Sequence, residues 1–273
     1  MNHKQNVLII GSGGREHVLA WKVSTSPNVS KLYVAPGNGG TSEVATNVGL
    51  KATDKRGLIR FAKDNDIGLT IVGPDDILAL GMVDAFEAEG LRIFGPKRAA
   101  ARIEWSKVFS KNLMTSQSIP TARYETFNDI ASAKTYAASQ PYPLVIKANG
   151  LALGKGVFVC ADQTEADQAL EELMDDKVFG DSGSSVVIEE FMKGQEVSIQ
   201  ALCDGKTSVL LPTSQDHKRI GTGDVGPNTG GMGTYAPVPW VKPDMLGRIK
   251  ETVVESALRG LSATGSPFKG LLY

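Results

Sequence analysis

Between Val7 and Phe94, short apolar runs alternate with amphipathic segments, and this alternation restricts the fold more than any other feature of the chain. Val7 to Ile10 is a continuous apolar run, the pattern of a strand covered on both faces. Glu16 to Ser24 has helical spacing, and Lys31 to Ala35 reads as a second strand. Leu58 to Asn65 then suits a helix, Leu69 to Val72 a strand, Ile77 to Glu89 a helix and Arg92 to Phe94 a strand. Strands separated by helices pair most simply in parallel through right-handed crossovers. The expected class is therefore α/β, with helices flanking a parallel sheet.

Gly11-Ser12-Gly13-Gly14-Arg15-Glu16-His17 follows the first strand and opens the first helix. That is where such a sheet commonly binds phosphate on the free N–H groups of a helix N-terminus. A dinucleotide fingerprint wants a third glycine where Glu16 stands and an acidic residue after the second strand. The chain has Ala35-Pro36-Gly37-Asn38 there instead, so a nicotinamide cofactor is disfavoured. Two readings of the turn remain: tight strand-to-helix geometry alone, or a phosphate ligand helped by Arg15 and His17.

Gly95-Pro96 marks a boundary, after which Ala99 to Gln117 reads as one helix that Ile119-Pro120 ends. Leu144 to Ala148 reads as a strand, and Gly150 to Val157 as a glycine-rich turn leading into Phe158-Val159-Cys160. The spacing is not that of a Walker A loop, because Gly156 occupies the position of the metal-binding hydroxyl. A flap over nucleotide phosphates, with Gly154, Lys155 and Gly156 meeting the charge, competes with a plain hairpin carrying a solvated lysine. Val186 to Ile188 is a strand ending in Glu189-Glu190-Phe191, and Glu196 is expected in a further strand running to Leu202. Paired carboxylates at a strand end suit a nucleotide's adenine and ribose, and are equally a common charged terminus.

Ser214-Gln215-Asp216-His217-Lys218-Arg219, followed by Gly226-Pro227-Asn228-Thr229-Gly230-Gly231-Met232-Gly233, packs cations, a histidine, a carboxylate and amides beside glycines that allow close approach. Such a segment offers charge-assisted donors and bare backbone N–H groups to anionic oxygens. The plainer alternative is a long polar surface loop.

Composition excludes other classes. Across 273 residues, 29 basic and 30 acidic side chains leave a net charge of −1, so nothing global favours nucleic acid or an anionic membrane. The two cysteines, Cys160 and Cys203, have no metal-like spacing and read as reduced packing residues. Three histidines make a histidine-rich metal site unexpected. Neither a signal-peptide core nor a membrane span is visible, which makes a cytoplasmic location the default.

Taken in order, these motifs, together with Ile71-Val72-Gly73-Pro74, Ser106-Lys107 and Ile146-Lys147, resemble the phosphoribosylamine–glycine ligase (glycinamide ribonucleotide synthetase) family of the ATP-grasp superfamily. The likeness runs from residue 6 to residue 273. It implies a Rossmann-like (pre-ATP-grasp) substrate-binding domain over 1–103, an α+β ATP-grasp small lobe with linking helix and flap over 104–193, and the start of a large lobe over 194–273. The implied reaction is ATP-dependent carbon–nitrogen ligation in purine biosynthesis. Glycine is phosphorylated by ATP, and the amine of 5-phosphoribosylamine displaces the phosphate from the glycyl phosphate. ATP and Mg2+ or Mn2+ are implied as cofactors, and a monomer acting on small molecules is expected.

By the same resemblance, Lys107 and Lys147 contact ATP phosphates under the flap of Gly154, Lys155 and Gly156. Glu189, Glu190 and Phe191 line adenine, and Glu196 holds the ribose. Gly13, Gly14, Arg15, Glu16, His17 and Asn38 receive phosphoribosylamine. Asp216, Lys218, Arg219 and Asn228, with Gly230, Gly231 and Met232, surround glycine and the reacting carboxylate. No metal ligand is assigned, since the family's magnesium-binding glutamate and asparagine lie in a strand after the Gly270–Tyr273 segment. The chain is accordingly expected to be a fragment without glycine-dependent turnover of its own. Alternatives are an ATP-grasp carboxylase using bicarbonate, or a non-catalytic nucleotide-binding remnant. Two further departures stand out: Asp75 where glutamate is usual, and Asn149 where aspartate is usual.

Overall fold

A computed structural model describes residues 4–151, 156–176, 178, 180–223, 225–229 and 233–273. The chain divides into two compact units, one of residues 1–102 with 268–270, the other of 103–267 with 271–273. The stretches 104–193 and 194–273, expected as two lobes, fall in the same unit except for residues 268–270.

The first unit contains β1 (Gln5–Gly11), α1 (Gly14–Ser24), β2 (Val29–Pro36), β3 (Thr46–Asn47), α2 (Lys55–Asp64), β4 (Ile67–Val72), α3 (Asp75–Ala79), α4 (Met82–Ala88) and β5 (Ile93–Phe94). Its strands pair in parallel in the order β3-β2-β1-β4-β5. The central strand β1 sends Leu8 and Ile10 into a core with Leu58, Ile77 and Phe86, while Val7 and Ile9 face a second core with Ala20 and Val34. Burial on both faces is why this strand reads as an unbroken apolar run. Because β2 and β4 flank β1 on opposite sides, the strand order switches direction at β1, and the connections leave its C-terminal end to either side. The loops after β1, β2 and β4 therefore gather around one crevice, the usual ligand position of such sheets. The helix expected over Ile77–Glu89 is interrupted, since Gly81 adopts φ +78° between α3 and α4.

The division between units falls within α5 (Arg98–Trp105), and α6 (Lys107–Ser116) follows. The single helix expected over Ala99–Gln117 is thus two, separated by Ser106, whose extended backbone (φ −130°, ψ 102°) and hydroxyl cap α6 at the N–H of Phe109. Next come β6 (Tyr124–Phe127), α7 (Ile130–Ala138), β7 (Leu144–Ala148), β8 (Val157–Cys160), α8 (Gln163–Leu170) and β9 (Val186–Glu190). These strands form an antiparallel sheet in the order β6-β9-β7-β8. One face buries Leu144, Ile146, Cys160 and Ile188 against Ala133, Ala137 and Leu170 of α7 and α8. The opposite face carries Val145, Lys147 and Glu189, and leaves Val157 and Val159 exposed at 38% and 44%.

β10 (Ala201–Asp204) and β11 (Ser208–Leu210) form a hairpin in a three-stranded sheet with β16 (Lys269–Leu272). The strand expected from Glu196 begins at Ala201 instead, and Glu196 stands in irregular chain before it. Two small ladders, β12 (Gln215–Asp216) with β15 (Thr234–Tyr235) and β13 (Arg219–Gly221) with β14 (Val225–Asn228), hold the polar segment. Helices α9 (Pro243–Ile249) and α10 (Ser256–Ala263) are joined by a π-helical stretch, Lys250–Glu255. Among the described residues, no helix is long and apolar enough to cross a membrane.

Candidate functional site

In the first unit, the turn after β1 is built around a buried carboxylate. Glu16 is 3% exposed, and its Oε2 accepts from the N–H of Gly13 at 2.6 Å, half of a capping box for α1. Its side chain fills the space over Gly11 and Gly73 that any Cβ there would need. Glu16 therefore replaces the expected third glycine by folding under the turn, and glycines elsewhere accommodate it. Gly13, Gly14 and Arg15 remain at the surface, with the first N–H groups of α1 unsatisfied by the helix. The guanidinium of Arg15 donates to Gly73 O at 2.7 Å and pairs with Asp75 at 3.0 Å, so the shortened carboxylate still reaches it. Asn38 donates from Nδ2 to Ser12 O and Gly13 O at 2.8 and 3.2 Å, and accepts from the N–H of Thr41 at 3.0 Å. It ties the loop after β2 to the loop after β1. His17 is half-buried, with its ring against Gly40. Gly13, Gly14, Arg15, Glu16, His17 and Asn38 thus lie together around the β1 crevice, with Glu16 as their internal support.

In the second unit, the sheet face turned away from α7 and α8 holds a concentrated charge group partly covered by α6. Lys147 on β7 and Glu189 on β9 are diagonal neighbours, because Lys147 pairs with Val187 and Glu189 with Val145. Glu189, with 6% of its side chain exposed, forms ion pairs with Lys147 through Oε1 and with Lys111 of α6 through Oε2, the latter at 2.6 Å. The Lys111 contact is an ion pair and not a well-aligned hydrogen bond. Lys107, one helical turn before Lys111, donates to Gly150 O at 3.1 Å. Burial pulls Lys107 below its ordinary value of 10.5, and the like charge of Lys147 acts in the same direction, against the attraction of Glu104 and Glu189. Three ammonium groups share two carboxylates, Glu189 between Lys111 and Lys147 and Glu104 near Lys107, an arrangement with cationic charge to spare for an anion.

Asn149 explains how this group is held. Its Oδ1 accepts from the N–H of Val108 at 2.9 Å and from Ser106 Oγ at 3.1 Å, while its backbone oxygen accepts from the N–H of Lys107 at 3.0 Å. The amide oxygen does the capping that a carboxylate would do here. Gly156 lies at the start of β8 and its carbonyl accepts from Ala148 N–H at 2.8 Å; Gly154 and Lys155 lie outside the described residues. The side chain of Glu190 turns to Arg123, accepting from its N–H at 2.9 Å and its Nε at 3.1 Å. Phe191 is exposed just past β9.

The polar segment brings Asp216, Lys218 and Glu196 together. Lys218 Nζ donates to Asp216 Oδ2 at 2.8 Å and stands 3.8 Å from Glu196. The Asp216 hydrogen bond holds Lys218 above its ordinary value, against a smaller opposing effect of burial. Arg219 donates to Gly226 O at 2.8 Å across β13–β14, and Asn228 is its ladder partner by backbone. His217 Nδ1 lies 3.0 Å from Gly233 O. Gly230, Gly231 and Met232 lie outside the described residues. Among the described residues, no three His, Cys, Asp or Glu side chains group as metal ligands.

Sequence reasoning overlooked Lys111. Its signal was present as a second lysine one helical turn after Lys107 within the stretch expected as helix, but its partner lies on a strand distant in sequence.

Comparison with known proteins agrees with this architecture. Residues 5–104 match the model of the phosphoribosylglycinamide synthetase N domain, and residues 105–273 that of its ATP-grasp (A) domain. The phosphoribosylamine–glycine ligase of Yersinia pestis is 50% identical over 270 residues, which cover 98% of this chain and 63% of that protein. The crystal structure of the Thermotoga maritima phosphoribosylamine–glycine ligase superposes with a TM-score of 0.80 at 32% identity, covering 97% of this chain and 63% of the other. The biotin carboxylase domain of Hydrogenobacter thermophilus 2-oxoglutarate carboxylase, at TM-score 0.75 and 16% identity over 98% of this chain and 60% of its own, shares the fold alone. The chain thus spans 63% of the length of the ligase relatives it matches. Both of its compact units being accounted for by one pair of adjoining domains, the chain belongs to the phosphoribosylglycinamide synthetase family.

Proposed function

We propose that this chain supplies the phosphoribosylamine and ATP sites of a cytosolic ligase that joins glycine to 5-phosphoribosylamine, forming glycinamide ribonucleotide, ADP and phosphate. The observation that carries this reading is the face of the β6-β9-β7-β8 sheet turned away from α7 and α8, covered over β9 by α6 and exposed over β8. There Lys107 and Lys147 stand beside a buried carboxylate, next to the exposed apolar surface of Val157 and Val159. That combination suits a nucleotide: the lysines meet the phosphates, and the valines, with Phe191, meet the flat base. A divalent cation supplies charge neutralisation to the phosphates when bound; the described residues offer no three-ligand cluster for it.

Glycine activation needs electrostatic clamping and exclusion of water more than covalent help from the protein. The carboxylate oxygen of glycine attacks the γ-phosphorus of ATP, ADP leaves, and the amine of phosphoribosylamine then attacks the acyl carbon and expels phosphate. Lys147 and Lys107 would hold the phosphate oxygens against their mutual repulsion. Arg219 and Lys218, the latter kept protonated by Asp216, would orient the glycine carboxylate. The N-terminal turn of α1 at Gly13 and Gly14 would hold the phosphate of phosphoribosylamine, with Asn38 fixing the loop around it.

Lys147→Ala removes one partner of a buried ion pair and one phosphate contact together. In a full-length protein carrying this chain it is expected to weaken ATP binding roughly 100-fold, about 2.7 kcal/mol, and to abolish glycine-dependent ADP release. Unchanged ATP affinity and turnover in that variant would overturn the phosphate assignment.

A further inference from the structure

We propose that Lys111 is a positioning residue of the nucleotide site, one that takes up half of the Glu189 carboxylate so that Lys147 stays available to phosphate. The inference rests on the reading of the Lys107–Lys147 face as a phosphate site. Lys111 itself is enclosed among protein partners and turned away from the solvent side of the sheet. Its Nζ pairs with Glu189 Oε2 at 2.6 Å, donates to Thr121 Oγ1 at 2.7 Å, and stands 5.1 Å from the centre of the Tyr124 ring. Only 12% of its side chain is exposed. Lys147, by contrast, is 29% exposed and shares Glu189 through the other oxygen.

This division of one carboxylate has a consequence for binding. A buried carboxylate needs compensating charge, and if a single lysine supplies all of it, a phosphate must compete with the carboxylate for that lysine. With Lys111 holding Oε2 on the helix side, Glu189 orients Lys147 through Oε1 without absorbing its whole charge. The placement follows from the fold. Lys107 and Lys111 are four residues apart on α6 and so share a helical face, on which Lys107 reaches the Gly150 carbonyl and Lys111 reaches β9. Tyr124, paired with Glu189 across β6–β9, closes the opposite side of Lys111.

The test is equilibrium titration with ATP and, separately, with adenosine, which has no phosphates. For Lys111→Met the expected result is roughly tenfold weaker ATP binding with adenosine affinity unchanged, and recovery of most of the loss in the Lys111→Met, Glu189→Gln double variant. Lys111→Arg, which keeps the charge, should bind ATP nearly as the parent does. Where Lys111→Met does not fold, Lys111→Gln carries the same test, since it retains a donor toward Glu189 but no charge. Parent-like ATP binding in the uncharged variant would overturn the inference. So would equal loss of ATP and adenosine, or a double variant no better than the single, because each marks a packing role only. Lys147→Ala, measured alongside, separates the two claims. If it too binds ATP like the parent, the phosphate reading itself fails; if it loses ATP while Lys111→Met does not, only the role of Lys111 fails.

Discussion

Glu16 and Lys107 are two charged residues whose surroundings decide what they do. Glu16 sits where a phosphate-binding turn of the dinucleotide type would carry glycine, and its burial over Gly11 and Gly73 turns that substitution into a support. A methyl group at residue 73 would collide with the Glu16 carboxylate, so Gly73→Ala is expected to cost ~1–3 kcal/mol, read from urea midpoints. A parent-like midpoint would contradict the packing. Lys107 supplies a pH signature. Its folded pKa lies below 10.5 because of burial first and Lys147 second, so between that lowered value and 10.5 the free protein carries it neutral. Phosphate favours the charged form. ATP binding in that alkaline window should therefore take up a proton, and affinity should fall as pH rises through the lowered pKa. For stability the sign is opposite. The fold's penalty on the charged form is present in full below the lowered pKa and fades as pH rises toward 10.5. Calorimetric titrations in buffers of different ionisation enthalpy would detect the proton, and buffer-independent heats across the window would contradict the assignment.

At the scale of elements, the N-terminus of α6 is the joint on which the lysine group depends. Asn149 satisfies Val108 N–H and Ser106 Oγ from a neighbouring loop. Asn149→Ala should cost ~1–2 kcal/mol and weaken ATP binding by loosening Lys107 and Lys111 together; Asn149→Asp should preserve the cap and gain a few tenths from the helix dipole. Thermal melts of both variants would check this, and an alanine variant as stable as the parent would refute it. The sequence made this element legible only in part. Its helical periodicity ran through Ser106 without interruption, because both halves present apolar residues at compatible spacing, and the break is imposed by a capping partner distant in sequence. The buried strands β1, β4, β7 and β9 were readable, since burial on one or both faces forces apolar runs. The two-residue strands β12 and β15 were not, because their pairing is fixed by long-range contacts and not by local pattern. Glu196 was misplaced into a strand for a related reason: the alternation from Glu196 to Leu202 suits a strand, but ladder pairing begins at Ala201.

At the scale of the whole molecule, a parallel-sheet unit with a loop crevice at β1 and a second unit with a charged sheet face correspond to the two domains of one ligase family. The residues that carry the proposed chemistry were mostly legible as motifs. What the motifs did not show is the division of labour among them: Glu16 as internal support, Glu189 shared by two lysines, Asn149 as a cap. Those roles depend on burial and on which residue meets which across the sheet. The most direct test of the central claim is the rate of ADP release from ATP by the protein carrying this chain, with glycine, phosphoribosylamine and bicarbonate supplied or withheld in turn. ADP release that requires glycine and yields a product linking glycine to phosphoribosylamine is the predicted result. Release indifferent to glycine, or driven by bicarbonate in its place, would contradict the account.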